Sequence, residues 1–124
     1  MIMETDMPNR WASITVDCAD PDRLAAFWGT LLDLPADPDP LPGWAGLARD
    51  RPPLPRINFQ PVTEPKRAKV RIHLDVAVDD IDRGIAQVLE LGGAATGERH
   101  DYDEGVVVVM ADPEGNEFCL VEYY

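Results

Sequence analysis

Cysteine is scarce in this chain of 124 residues, with only Cys18 and Cys119 present. Two thiols cannot build a disulfide framework, and they offer no CxxC pair for a zinc or redox motif. Each stands in a strand-like run, where a lone cysteine acts as a small buried hydrophobe. Long apolar runs are missing too: nothing approaches the roughly 18–20 consecutive apolar residues that span a bilayer. Met1-Ile2-Met3-Glu4-Thr5-Asp6 has neither the basic start nor the apolar stretch of a signal peptide. These absences point to a reducing, cytoplasmic setting and argue against a membrane partner. Basic residues are also few, 11 Lys and Arg against 23 Asp and Glu, for a net charge of −12. Such a field repels a phosphate backbone, so nucleic acid is not an expected partner. It serves solubility first. Glycine-rich phosphate loops are absent.

What is present is enough for one domain spanning residues 1–124. A hydrophobic fraction of 45% lies in the globular range, and a chain of this length buries roughly two thirds of the surface it exposes when unfolded. The sequence also repeats itself. Ser13-Ile14-Thr15-Val16-Asp17-Cys18-Ala19-Asp20 aligns without a gap on His73-Leu74-Asp75-Val76-Ala77-Val78-Asp79-Asp80, at an offset of 60 residues. Val16 falls on Val76, Asp20 on Asp80, Arg23 on Arg83, Ala26 on Ala86 and Leu31 on Leu91. An internal duplication follows, with one copy over about 11–62 and the other over about 69–124.

In each copy an alternating stretch leads to an aspartate and then to a helical pattern. Asp20 can cap the first helix, with Pro21 at its first position, where the missing N–H costs nothing. Leu24, Phe27, Trp28 and Leu31 form its apolar stripe. Asp80 opens the second helix, whose stripe is Ile81, Ile85, Val88 and Leu89 and which Gly92-Gly93 ends. Leu34 to Arg56 holds seven of the 12 prolines and reads mainly as loop, with a short strand at Trp44–Ala48. Strands are predicted at Arg56–Pro61, Ala94–Arg99, Gly105–Ala111 and Glu117–Tyr123. Asp112-Pro113-Glu114-Gly115-Asn116 carries the residues of a tight turn.

Side chains alternate across a strand, so parity sorts them into two faces. Ile14, Val16 and Cys18 oppose Ser13, Thr15 and Asp17; Leu74, Val76 and Val78 oppose His73 and Asp75. Ile57 and Phe59 oppose Arg56, Asn58 and Gln60, while Phe118 and Leu120 oppose Glu117, Cys119 and Val121. The apolar faces are expected to pack on the helices. The polar faces are then free to line a concavity for a small organic ligand. On that face His73 is the group that titrates near neutrality, with Asp75 two residues on, so the two are candidates for acid–base work. Trp44 and Tyr102 are candidate aromatic lips. His100 falls in a polar stretch, Glu98–Glu104, and reads as a loop residue. A Ser13/His73/Asp75 triad has no elbow motif behind it.

Thr15-Val16-Asp17-Cys18-Ala19-Asp20-Pro21, the Phe27-Trp28 pair with Leu31-Leu32, His73-Leu74-Asp75-Val76, and Asp112-Pro113-Glu114-Gly115-Asn116-Glu117-Phe118-Cys119-Leu120-Val121 together resemble the glyoxalase-like branch of the vicinal-oxygen-chelate superfamily. That superfamily includes glyoxalase I, extradiol dioxygenases and bleomycin-resistance proteins. The resemblance implies an α+β fold of two βαβββ modules, a cupped mixed sheet with helices outside, and a homodimer. It also implies where a metal would be held in members that use one. Those places fall here on Ser13, Asn58, His73 and Cys119, of which His73 alone is an ordinary ligand for a hard or borderline divalent ion. The usual two carboxylates are absent, so no metal and no cofactor is expected. The expected function is metal-free binding of a small molecule through Ser13, Thr15, Asp17, Asn58, Gln60, His73, Cys119, Trp44 and Tyr102. The alternative is a lyase or isomerase that uses His73 as acid, base or metal ligand.

Overall fold

Both helices begin where an aspartate caps them. In the computed structural model of the chain, which describes residues 11–51 and 55–124, Asp20 accepts from the Arg23 N–H at 3.2 Å and Asp80 from the Arg83 N–H at 3.0 Å. The N-terminal stretch read above for a signal peptide, and Pro52 and Pro53, lie outside the described residues. The elements run β1 (Ser13–Cys18), α1 (Pro21–Leu32), β2 (Ala45–Leu47), β3 (Arg56–Pro61), β4 (Asp75–Ala77), α2 (Ile81–Glu90), β5 (Ala94–Tyr102), β6 (Gly105–Ala111) and β7 (Glu117–Tyr123).

The architecture is α+β, with two mixed sheets ordered β1-β3-β2 and β4-β7-β6-β5. In each, the strand before the helix pairs in parallel with the last strand of its copy, and the remaining pairs are antiparallel. The registers carry the duplication into three dimensions: Thr15 pairs with Asn58 as Asp75 pairs with Cys119. The first copy is the poorer in strands. Where the second has β5, the first has one bridge from Ala36 to Leu47, because Pro35, Pro38 and Pro40 around it cannot donate to a ladder. Within one chain no ladder among the described residues joins β1 to β4, so the two sheets stay separate.

Several boundaries differ from the sequence reading. The strand expected from His73 is paired only over Asp75–Ala77, where β7 lies alongside. The strand expected at Trp44–Ala48 is trimmed to Ala45–Leu47, since Ala48 takes a φ of 60° that no strand accommodates. β5 runs on to Tyr102 as an edge strand exposed along its length, carried by its ladder to β6 rather than by apolar alternation. Leu89 leaves the expected stripe and stands 49% exposed, and Gly84 takes the buried place instead. There a Cβ would meet Val78 at 3.1 Å and Leu120 at 3.3 Å, so the helix lies close to the sheet.

One core crosses both copies. Leu24, Phe27 and Trp28 of α1 share it with Ile57 and Phe59 of β3 and with Val108, Met110, Phe118 and Leu120 of the second sheet. The Trp28 and Phe118 rings meet edge to face at 4.7 Å, and Phe27 closes the cluster at 5.2 Å from Trp28. The turn after β6 locks the copies together. Asp112 is buried and accepts from the Trp28 indole N–H at 3.1 Å. Glu114 accepts from the backbone N–H groups of Ala19 and Asp20 at 2.7 and 2.8 Å. Gly115 makes that turn with a φ of 84°, a conformation glycine adopts without steric cost.

Candidate functional site

Leu74, Val76 and Val78 pack against the main core, and that register turns His73 and Asp75 to the opposite face of the second sheet. On that face β6 and β7 present Val107, Val109, Cys119 and Val121, which cluster among themselves. The face expected to be the more polar therefore has an apolar floor with polar groups at its edge. His73 Nδ1 lies 3.3 Å from Asp75 Oδ1 and 3.9 Å from Cys119 Sγ. A proton on Nδ1 donated to Asp75 leaves Nε2 as the basic nitrogen. Burial first, and then the charge of Asp75, push the Cys119 thiol above its ordinary range, so it keeps its proton at neutral pH. A cavity of about 300 Å³ opens here, lined by His73, Asp75, Cys119, Val107 and Val121, with half-exposed Tyr102 and exposed Tyr123 at its rim.

His100 is a residue the sequence reading misplaced. It lies in β5 directly opposite Val107, on the same face as the Val107–Cys119 floor. Its Nε2 is 2.8 Å from Glu98 Oε2, and its ring stacks on Tyr102 with centroids 6.3 Å apart. The hydrogen bond to His100 holds the Glu98 carboxyl below the usual range. The two-residue spacing of Glu98, His100 and Tyr102 is the signal that marks them as one face of a polar strand.

The other candidates are divided between two further cavities. Asn58 and Trp44 line one of about 310 Å³ with Arg49, Arg56 and Asp37; all its walls come from the first copy, as all those around Cys119 come from the second. Thr15 and His73 both border a larger apolar cavity of about 510 Å³ between the copies, walled by Ile14, Ile57, Phe59, Leu74 and Phe118. Ser13, Asp17 and Gln60 border none of the three.

As possible metal donors, His73, Asp75 and Cys119 lie with their ligand atoms within 4.8 Å of one another. Imidazole, carboxylate and thiolate are donors that a borderline ion such as zinc accepts, so this trio fits in type and spacing. The matching positions of the first copy, Ser13, Thr15 and Asn58, carry only hydroxyls and an amide.

The family model described as a glyoxalase-like domain matches residues 13–121. Among solved structures, a glyoxalase/bleomycin resistance protein/dioxygenase family enzyme from Burkholderia phytofirmans PsJN is similar with a TM-score of 0.73 at 15% identity, covering 94% of this chain and 100% of that one. The fosfomycin resistance protein FosX from Mesorhizobium loti gives 0.69 at 15% identity, with 95% of each chain covered. Lactoylglutathione lyase from Agrobacterium tumefaciens gives 0.61 at 19%, over 94% of this chain and 95% of that one. No curated protein matches the sequence. No helix among the described residues is long and apolar enough to cross a membrane.

Proposed function

Since the chain belongs to the glyoxalase-like domain family, we propose that it is a metal-free, cytoplasmic binding protein that holds a small organic ligand without transforming it. One observation carries the reading. The two copies bear cavities of nearly equal size, about 310 and 300 Å³, which share one register-matched wall position, Asn58 in the first copy and Cys119 in the second. Each is at the lower end for a ligand pocket, which typically measures roughly 300–1,000 Å³. Each works as half of one. The strands that would join the halves, β1 and β4, both lie at a sheet edge with one side unpaired among the described residues. A homodimer that sets the Asn58 face of one protomer against the Cys119 face of its partner makes a whole pocket. Unpaired edges of this kind are normally covered in a native assembly.

A second reading is favoured by the His73–Asp75–Cys119 cluster: an enzyme of the lyase or isomerase kind, with His73 Nε2 as its acid or base. If an ion is bound there, those three residues hold it, and it supplies Lewis-acid polarisation of a ligand oxygen. Against that stands the Cys119 thiol, which must give up a proton that its surroundings favour.

Purified protein decides between the two. Elemental analysis is expected to find less than stoichiometric metal, and EDTA to leave the melting temperature unchanged. Native mass spectrometry is expected to give a dimer with a co-purifying small molecule. Stoichiometric zinc that is lost in Cys119→Ala would establish the second reading, and a monomer that retains the ligand would remove the dimer from the first.

A further inference from the structure

The proline-rich stretch builds a charged site on the first sheet that shares no residue with the one at His73. Its pivot is Asp37, whose side chain is 2% exposed. The Asp37 N–H donates to the Gly46 carbonyl at 2.8 Å, and its Oδ1 accepts from the Asp39 N–H at 3.0 Å. It lies against β2 because residue 46 has no side chain: a Cβ there would stand 3.2 Å from both the Cβ and the Oδ2 of Asp37. The Asp39 N–H above all, and then the nearby arginines, hold the Asp37 carboxyl below its ordinary range, so it is a fixed negative charge.

That charge positions two guanidinium groups and leaves both underused. Arg49 Nη1 reaches Oδ1 at 3.5 Å, and Arg56 Nη2 reaches Oδ2 at 3.3 Å. Each contact is single and long, whereas a guanidinium carries five donors in a fork that matches a carboxylate at two points. Arg56 Nε is shut off from water and has no hydrogen-bond partner among the described residues. A native structure rarely leaves such a donor unused without a reason. Around the pair is the 310 Å³ cavity, with Trp44, Pro40 and Leu41 as its apolar wall and Asn58 beside them. Asp39 stands at the rim, exposed, and opposes an incoming anion.

We propose that this cavity receives a small organic acid, its carboxylate taken by Arg49 and Arg56 and its flat apolar body laid against Trp44. The proposal rests on the reading that the paired faces bind a small molecule, and it names the chemical class taken at this one. Two guanidinium groups held by a buried carboxylate are pre-organised for an oxyanion. The indole supplies a flat surface for a ring.

Indole resonances of ¹⁵N-labelled full-length protein give the test, with 2-naphthoate, its neutral amide and inorganic phosphate as probes. Naphthoate is expected to shift the Trp44 indole, assigned with Trp44→Phe, and to leave those of Trp11 and Trp28 in place. It should bind about tenfold or more tightly than the amide, the difference that charge-assisted hydrogen bonds make. Phosphate should bind more weakly than naphthoate. Arg49→Gln, at a half-exposed position that folding tolerates, should remove that preference for the charged probe, and Arg56→Lys should weaken it. Asp39→Asn should tighten naphthoate binding. Equal affinity for acid and amide, full affinity in Arg49→Gln, or phosphate bound as tightly as naphthoate would each overturn the assignment. If naphthoate fails while a co-purified ligand binds and is lost in His73→Ala, the binding-protein reading survives and this proposal does not.

Discussion

Replacing Asp112 with asparagine tests how the two copies are joined. Its Oδ1 accepts from the backbone N–H groups of Glu114 at 2.9 Å and Asn116 at 3.0 Å, so an asparagine must keep its oxygen there. The new NH₂ then replaces Oδ2, which accepts from the Trp28 indole at 3.1 Å and from Asn116 Nδ2 at 3.0 Å. Asn116 can turn its own amide and present an oxygen. The indole cannot, and its N–H is left buried facing another donor. Losing a hydrogen bond to a charged group and leaving its donor unsatisfied costs about 2–4 kcal/mol. That is a large part of the roughly 5–15 kcal/mol by which domains are stable. At roughly 4 °C per kcal/mol for a chain of this size, the melting temperature should fall by about 8–16 °C. Urea titrations followed by tryptophan fluorescence measure the loss directly, and Trp28→Phe completes a double-mutant cycle. A coupling of about 1.5–3 kcal/mol is expected between the two sites. A loss below about 1 kcal/mol in Asp112→Asn, or additivity within about 0.5 kcal/mol, would refute the reasoning.

His73→Ala should leave urea stability within about 0.5 kcal/mol of the parent, because the half-exposed ring gives up no core contact, while weakening whatever ligand co-purifies. Burial, with Glu114 and Asp112 adding to it, pushes the Cys18 thiol up to about 11. An unfolded thiol ionises near 9, so the neutral folded form contributes stability that is fully present below pH 9 and lost as the pH rises towards 11. Urea titrations from pH 8 to 11 should show that loss, and Cys18→Ala should flatten it; an unchanged slope in the variant would assign the loss to other groups. A Cβ on Gly105 would press on the backbone carbonyl of Glu122 in β7. Gly105→Ala should therefore cost about 3 kcal/mol or more, since neither backbone can yield without opening the ladder; a parent-like melting curve would show that β6 and β7 part easily.

The duplication, both helix caps and β3 were legible because each is written in neighbouring residues: Asp20 before Pro21, Asp80 before Ile81, and the alternation of Ile57 and Phe59. β5 was half legible. Past Arg99 it has no apolar face, and only pairing with Val106 and Val107 keeps it extended, which a window along the chain cannot register. His100 therefore looks like a loop residue in the sequence although it lies in a strand. His73, Asp75 and Cys119 share one face, which is legible because period-two geometry depends on register alone. The apolar floor is not legible, because Val107 and Val109 sit in an almost unbroken valine run whose two faces look alike. Asp37 and Arg49 give no signal, and Arg56 gives only its place on the polar face of β3. They meet across a proline-rich loop, and nothing in their spacing announces that Gly46 leaves room for a carboxylate.

The contacts that fasten the turn after β6 to the first copy link residues 84, 94 and 95 positions apart in the chain. A loop that long closes late, after local helices and hairpins are already populated. Severing the connection between the copies near residue 65 would therefore not release two self-sufficient folding units. The first would lose Phe118 and Asp112 from around Trp28, and the second would expose Phe118. The two similar halves share one core, so neither is expected to fold by itself. In refolding from a briefly unfolded state, before the 12 prolyl bonds have isomerised, amide exchange protection should accordingly be gained at the same rate in β3 and β7.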